Sequence, residues 1–183
     1  MRKLKLFMQV TADGFVCGPE GQIDWMTPPD EKGTAFRDAI TDTVDTILGG
    51  RKMLDGFVQY WESVQPGHPW YSFAQKMVNT PKIVFSKTVS ELPGKNLRVE
   101  NGDLVKCVKA LKKLPGKDII VYGGASFVSS LIEHGLIDEY YFAVNPTAIG
   151  SGKQVFKQRT ALKLVRAKSF PNGKVLLIYK PQK

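Results

Sequence analysis

A chain of 183 residues with 43% hydrophobic content can bury one sizeable core, and we read it as a single domain over 1–183. Its net charge of +9 is uneven: residues 1–50 carry 5 Lys/Arg against 8 Asp/Glu (net −3), and residues 51–183 carry 21 against 9 (net +12). The lysines of the second part are mostly scattered singly, which argues against a basic arm for nucleic acid and leaves a solvated surface or a phosphate-lined cleft.

In chain order, Leu4, Leu6, Met8 and Val10 alternate with Lys5, Phe7 and Gln9, a period-2 pattern that predicts an opening strand, central because Phe7 makes its middle apolar on both faces. Asp13-Gly14 and Gly18-Pro19-Glu20-Gly21 break the chain into a loop. Thr34 is the expected cap of a short helix burying Phe36, Ala39 and Ile40. A strand over Val44–Leu48 ends at Gly49-Gly50, and a helix follows over Arg51–Val58.

The aromatic and Pro-rich stretch from Gln59 to Thr80 reads as a long loop carrying one short helix. Short strands are predicted over Lys82–Ser86 and Leu97–Glu100, then an amphipathic helix through Leu104, Val105, Val108 and Leu111 that stops at Pro115-Gly116. Asp118–Tyr122 is a strand, Ser126–Glu133 a helix and Ile137–Val144 a strand. Two alternating runs, Leu162–Phe170 and Lys174–Lys180, flank Pro171-Asn172-Gly173, a strong hairpin signal. Strands alternating with helices and closed by a hairpin predict an α/β domain with a mixed sheet and helices on both faces.

Three predicted strands end in similar chemistry: "TILGGRKM" from Thr46, "KIVFSKT" from Lys82 and "IIVYGGASF" from Ile119. Ligands of such sheets bind at the carboxyl ends of parallel strands, where helix N-termini present free N–H groups and a partial positive charge. Glycine there lets an anion approach the backbone, although strand-Gly-Gly-helix is also a tight packing turn. Arg51 and Lys52 lie in the first turn of a helix, where cations oppose the dipole unless an external anion lies between them. Arg51 suits forked recognition of a phosphate and Lys87 adds a point charge. Several separate phosphate points suggest a dinucleotide with an extra phosphate, hence NADPH rather than NADH.

The segment "GGASFVSSLIEHGLIDEYYFAVNPTAIGSGKQVF" resembles the C-terminal signature of the reductase domain of riboflavin biosynthesis, the RibD C-terminal type, through Gly123, Gly124, Gly135, Leu136, Asp138, Glu139, Pro146, Gly150, Gly152 and Phe156. "VDTILGGRKM" resembles the Gly-Arg-Lys cofactor turn of dihydrofolate reductases, which share that fold, and "DGF" (Asp13, Gly14, Phe15) recurs in stand-alone members of the superfamily.

The resemblance implies a dihydrofolate reductase-like, mostly parallel central sheet with flanking helices and a C-terminal antiparallel hairpin. It also implies NADPH laid across the strand ends. Gly49, Gly50, Arg51 and Lys52 would hold the adenosine phosphates, Ser86, Lys87 and Thr88 would flank the adenine side, and Tyr122, Gly123, Gly124, Ala125, Ser126 and Phe127 would receive the pyrophosphate. The nicotinamide would lie near Val10 and Thr11. Homodimerisation is implied too.

"WMTPPD" reproduces the Trp-x-x-Pro-x-Asp spacing by which dihydrofolate reductases deliver a carboxylate, making Asp30 a candidate proton holder; a Pro-Asp pair is also a turn or helix cap. Asp13 either touches substrate or shapes its Asp-Gly turn. Tyr60 and Trp61 either stack on a flat heterocycle or belong to the core. The implied activity is NADPH-dependent reduction of a small heterocycle, most like 5-amino-6-(5-phosphoribosylamino)uracil reductase. Dihydrofolate reductase and a non-catalytic NADPH-binding protein are the alternatives. Thr80-Pro81 stands where dihydrofolate reductases carry a folate-binding Arg, and Asp55 is the only echo of the riboflavin reductases' substrate stretch after the second strand.

Cys17 and Cys107 have no CxxC spacing or His partner, so neither a disulfide scaffold nor a metal site is expected. No apolar run reaches the length of a signal h-region or a membrane span, so the expectation is a cytoplasmic protein.

Overall fold

A computed structural model of the chain describes all residues except Pro29 and Lys183, with the side chain of Asp55 also outside the described residues. Eight strands form one sheet: β1 (Leu4–Val10), β2 (Val44–Gly50), β3 (Lys82–Phe85), β4 (Leu97–Glu100), β5 (Asp118–Val121), β6 (Glu139–Val144), β7 (Leu162–Ser169) and β8 (Val175–Pro181). Their order is β4-β3-β2-β5-β1-β6-β8-β7. The first six run parallel, and β8 joins β6 and β7 in antiparallel fashion. This is the mixed, mostly parallel sheet with a closing hairpin that the sequence predicts.

β1 is central, paired on one side with β5 and on the other with β6. Its alternation divides the core. Leu4, Leu6 and Met8 pack with Ile119 and Val121 against α4 (Leu104–Lys113) and α5 (Ala125–Glu133). On the other face Phe7, Ile47 and Ile120 meet α1 (Glu31–Thr41), α2 (Arg51–Ser63) and α3 (Tyr71–Asn79). Parallel strands covered on both faces need such apolar residues at successive positions. Leu4, Leu6, Ile47, Leu48, Ile119 and Ile120 are all fully buried, each worth roughly 1.5–3 kcal/mol of transfer free energy.

Several boundaries differ from the sequence expectation. α1 starts at Glu31, three residues before Thr34, because the Asp30 carboxylate accepts from Gly33 N at 2.6 Å and so closes the first turn. Ile40 is buried and Phe36 half-buried, but Ala39 is exposed. α2 continues past Val58 to Ser63, since Met53, Phe57 and Trp61 prolong one face at helical spacing and pack on the core. The stretch from Gln59 to Thr80 therefore holds the end of one helix and the whole of α3. The Lys82 ammonium, buried beneath that helix, donates to the carbonyls of Met77, Val78 and Thr80 and satisfies the end of α3. The final hairpin turns at Gly173, whose φ of +83° suits glycine.

Ion pairs hold the amino ends of the strands. Lys5 pairs with Asp118, Lys3 with Glu139 and Lys112 with Asp138, at 2.8, 2.8 and 2.6 Å, and Arg2 pairs with Asp45. Burial acts to raise the Glu139 carboxyl, but hydrogen bonds from Lys3 and Tyr141 outweigh it and hold the group below its ordinary 4.5. A carboxylate depressed by folding contributes stability that is fully present above its unfolded value and lost as pH falls through the folded one. Urea midpoints are therefore expected to fall between about pH 6 and about pH 3, with a shallower slope in Glu139→Gln. Equal slopes in the two proteins would remove Glu139 from this role.

Candidate functional site

Parallel pairing brings the carboxyl ends of β1, β2, β3 and β5 to one edge, where Gly50 lies beside Phe85 and Leu48 and Leu6 both lie beside Val121. Along that edge run two adjoining depressions. A cavity of about 1120 Å³ extends under α1 and α2, and one of about 330 Å³ lies between the ends of β2 and β3 and the start of α5. They share Lys52, Met53, Gly124 and Ser126 in their walls.

Gly50, Arg51, Lys52, Ser86, Lys87 and Thr88 line the smaller depression together with Phe127, whose ring stacks on Phe85 at 5.5 Å. Tyr122, Gly123, Gly124, Ala125 and Ser126 border the larger cavity, as do Tyr60 and Trp61. The sequence's three strand ends are thus brought together. Val10, Thr11 and Gly49 stand just behind and line neither space. Thr11 is buried and its Oγ1 accepts from Phe15 N at 2.8 Å, while a Cβ on Gly49 would meet Leu54 at 2.5 Å.

Two helices open on this edge without a side-chain cap: α2 after Gly50 and α5 after Gly124. α1 and α4, by contrast, are capped by Asp30 and Asp103. The N–H groups at the starts of α2 and α5 are left for an external acceptor. Among the described residues neither the Arg51 nor the Lys52 side chain makes an ion pair or hydrogen bond, so both cations border the depression uncompensated. The Lys87 ammonium is instead engaged by the carbonyls of Asn101 and Gly102 at 3.1 and 3.0 Å. Its charge is therefore partly spent within the fold.

The two glycines of the Gly-Gly turn differ. Gly124 has φ +84° and a Cβ there would press on Met53 at 3.3 Å, so the backbone itself calls for glycine. Gly123 has no positive φ, and its nearest Cβ neighbour is Met8 Cε at 3.8 Å. Nothing in the fold requires glycine at 123; it faces the cavity.

Asp30 and Asp13 are both held by backbone. Asp30 accepts from Gly33 N and, at 3.3 Å, from Asn172 N, and lies outside the cavity lining. Asp13 is exposed and accepts from Ile149 N and Gly150 N, tying the loop after β6 to the exit of β1. Hydrogen bonds from Thr11 and Gly150 hold its carboxyl below the usual range. Asp55, the residue nearest the riboflavin reductases' substrate stretch, lies outside the described side chains.

A family comparison matches the RibD C-terminal domain over residues 2–176. The chain belongs to the RibD C-terminal domain family. Membership points to a reductase. An uncharacterized Bacillus subtilis protein, YyaP, is 36% identical over 181 residues, covering 97% of this chain and 94% of its own. A provisionally named riboflavin biosynthesis protein of Shewanella sp. PV-4 has the same fold, with a TM-score of 0.77, 20% identity and 99% coverage of both chains. So does the Thermotoga maritima diaminohydroxyphosphoribosylaminopyrimidine deaminase/5-amino-6-(5-phosphoribosylamino)uracil reductase, at a TM-score of 0.71 and 17% identity over 99% of this chain and 57% of that one.

Within this RibD C-terminal fold the large cavity is walled by residues the sequence left unassigned. Arg37 of α1 lies over the rings of Trp70 and Phe73, 4.4 and 3.9 Å from their centroids, and its buried Nη1 has no hydrogen-bond partner among the described residues. Gln9 enters from β1, and Asn172 and Lys174 enter from the hairpin. Gln9 carries a readable signal: it is a polar residue on the covered face of a central strand. Lys174 carries none, because only the antiparallel return of β8 beside β6 brings it to the site.

The packing separates two kinds of glycine by experiment. Gly49→Ala is expected to cost about 1–3 kcal/mol in urea unfolding through its clash with Leu54. Gly123→Ala is expected to unfold like the wild type. A destabilised Gly123→Ala would make that glycine structural.

Proposed function

We propose that this chain is an NADPH-dependent reductase of a small heterocycle, most like the 5-amino-6-(5-phosphoribosylamino)uracil reductases. The observation that carries the reading is the continuity of the two depressions across the Gly123-Gly124 turn: cationic and lined by helix starts at one end, apolar and ring-lined at the other. A dinucleotide has the matching polarity, with phosphates at one end and a flat ring at the other.

The residues present fit that cofactor. Arg51 and Lys52 would hold the phosphate on the adenosine ribose, Ser86 and Thr88 would border the adenine side with Phe85 and Phe127 stacked beneath, and the free N–H groups of Ala125 and Ser126 would take the pyrophosphate. The bound cofactor supplies the hydride. The chain orients the two rings and keeps water from the larger cavity through Phe36, Phe57, Trp61 and Phe170. The Tyr122 hydroxyl, bonded to Thr41 at 3.0 Å and pushed up to about 12 by burial, stays protonated and serves as a fixed wall.

Fluorescence titration with NADPH and NADH tests the reading. NADPH is expected to bind more tightly, and Arg51→Ser is expected to weaken NADPH about tenfold while leaving NADH unchanged. Gly123→Ala, whose added methyl faces the pyrophosphate position, is expected to weaken both. No binding of either dinucleotide at about 100 μM would sink the proposal. Equal wild-type affinities would remove only the role given to Arg51.

A further inference from the structure

We propose that Lys174 is the proton donor of the reduction, delivering a proton from Nζ to the heteroatom of the bond that takes up the hydride. The proposal rests on the reductase reading above and names the acid which that reading leaves unassigned.

Hydride addition to a C=N or C=O carbon pushes the bond's electron pair onto the heteroatom, and an acid within reach keeps that charge from building up. Such a group must line the large cavity, carry a transferable proton and stand clear of bulk water. Among the described titratable side chains in that wall, Lys174 alone is buried, at 7% exposure. Glu20, Lys52, Lys153 and Lys157 are exposed, and the Glu20 carboxylate accepts from the Gln22 side-chain amide at 3.3 Å. Arg37 keeps its proton at any working pH. The Tyr122 hydroxyl, pushed up to about 12 by burial, is bonded to Thr41.

The fold makes little use of the Lys174 ammonium. Nζ donates one hydrogen bond, to Gln9 Oε1 at 3.3 Å, and makes no ion pair among the described residues. Gln9 Oε1 does not depend on it, because Asn145 Nδ2 donates to the same atom at 2.9 Å. Asn145 is fully buried and accepts at Oδ1 from Thr27 N at 3.0 Å, which fixes the orientation of its amide. Two of the three N–H groups of Lys174 are thus left over. A buried ammonium in that state carries a desolvation cost that one long hydrogen bond does not offset.

Its surroundings prepare the group to release a proton. Burial lowers the Lys174 ammonium below its ordinary range, and the Asp30 charge at the start of α1 acts the other way. Asp30 lies outside the cavity wall and commits its oxygens to Gly33 N and Asn172 N, so it tunes the lysine without meeting the substrate. The other charges about the cavity are Glu20 after β1, Arg37 on α1, Lys52 on α2, Lys153 and Lys157 after β6, and Lys168 on β7, whose ammonium lies over Phe36 and Phe170. None of them bonds to Nζ among the described residues. With the hydride supplied by the dinucleotide, the electron pair of the C=N or C=O bond moves onto the heteroatom, which takes a proton from Nζ. Lys174 is left as a neutral amine and regains a proton from water.

Rates of 5-amino-6-(5-phosphoribosylamino)uracil reduction with NADPH between about pH 6 and about pH 10 test the donor. A donor works only while protonated, so wild-type kcat/KM is expected to fall about tenfold per pH unit above the Lys174 midpoint. Lys174→Met is expected to lose about a hundredfold in kcat with little change in KM, and to lose that alkaline limb. Lys174→Arg keeps the charge without a transferable proton and is expected to be as slow. Asp30→Asn is expected to keep the limb and move it to lower pH. Two further readouts need no turnover. In protein carrying 15N-labelled lysine, the Lys174 resonance, assigned by its absence from Lys174→Met, is expected to titrate below the surface lysines and at the kinetic midpoint. Lys174→Met is expected to melt at or above the wild-type temperature, since it removes an uncompensated buried charge. Wild-type rates in Lys174→Arg, an alkaline limb that survives in Lys174→Met, a Lys174 that titrates with the surface lysines, or a destabilised Lys174→Met would each overturn the donor role alone. A wild type that does not bind NADPH or does not reduce the pyrimidine removes the reductase reading, and the donor role falls with it.

Discussion

Everything in this molecule hangs on the double parallel pairing of β1. A strand with parallel neighbours on both sides leaves all three carboxyl ends at one edge, and the side chains beyond that edge have no sheet to complete. β1 also divides its residues between two cores, with Leu6 and Met8 toward α4 and α5 and Phe7 toward α1, α2 and α3. Gln9 continues the second set. A polar side chain at that position would be a defect in a closed core; here the strand has run past its helices and the residue stands at a cavity wall.

The charges follow the same polarity. At the amino ends, Lys3, Lys5, Arg2 and Lys112 are matched by Glu139, Asp118, Asp45 and Asp138, each acid distant in sequence from its cation. These pairs sit where pairing costs least, at the partly wetted rim. At the carboxyl ends Arg51 and Lys52 have no such partners among the described residues. The cations at one rim of the sheet are thus neutralised within the fold, and those at the other are left to act on something else.

Much of this was legible in the sequence, and the reason is locality. β1, β2, β3, β5 and the hairpin are short runs whose alternation and bounding glycines carry their own signals. The resemblance carried by Gly123 to Phe156 supplied the family. What escaped depends on contacts distant in sequence. The cap of α1 went to Asp30 because its carboxylate reaches Gly33 N, which a Thr with a downstream apolar pattern does not reveal. The length of α2 was hidden because its second half faces a cavity through aromatic residues, which in one dimension look like a loop's scattered rings. Lys174 could be placed only once β8 was known to pair with β6 beside β1.

That last placement bears on how such a site can change. The small depression is built from backbone N–H groups, glycines and two unpaired cations, all belonging to turns that the parallel sheet fixes. The large cavity draws instead on α1, α2 and the antiparallel hairpin, which contribute side chains without setting the register of the central strands. Altering Phe36, Arg37, Phe170 or Lys174 reshapes the large cavity and leaves the strand ends where they are. Altering Gly50 or Gly124 cannot be so confined, because Phe127 and Met53 pack directly against them. The small depression is therefore bound to the fold itself, and the shape of the large cavity is left to elements that pack on its margin.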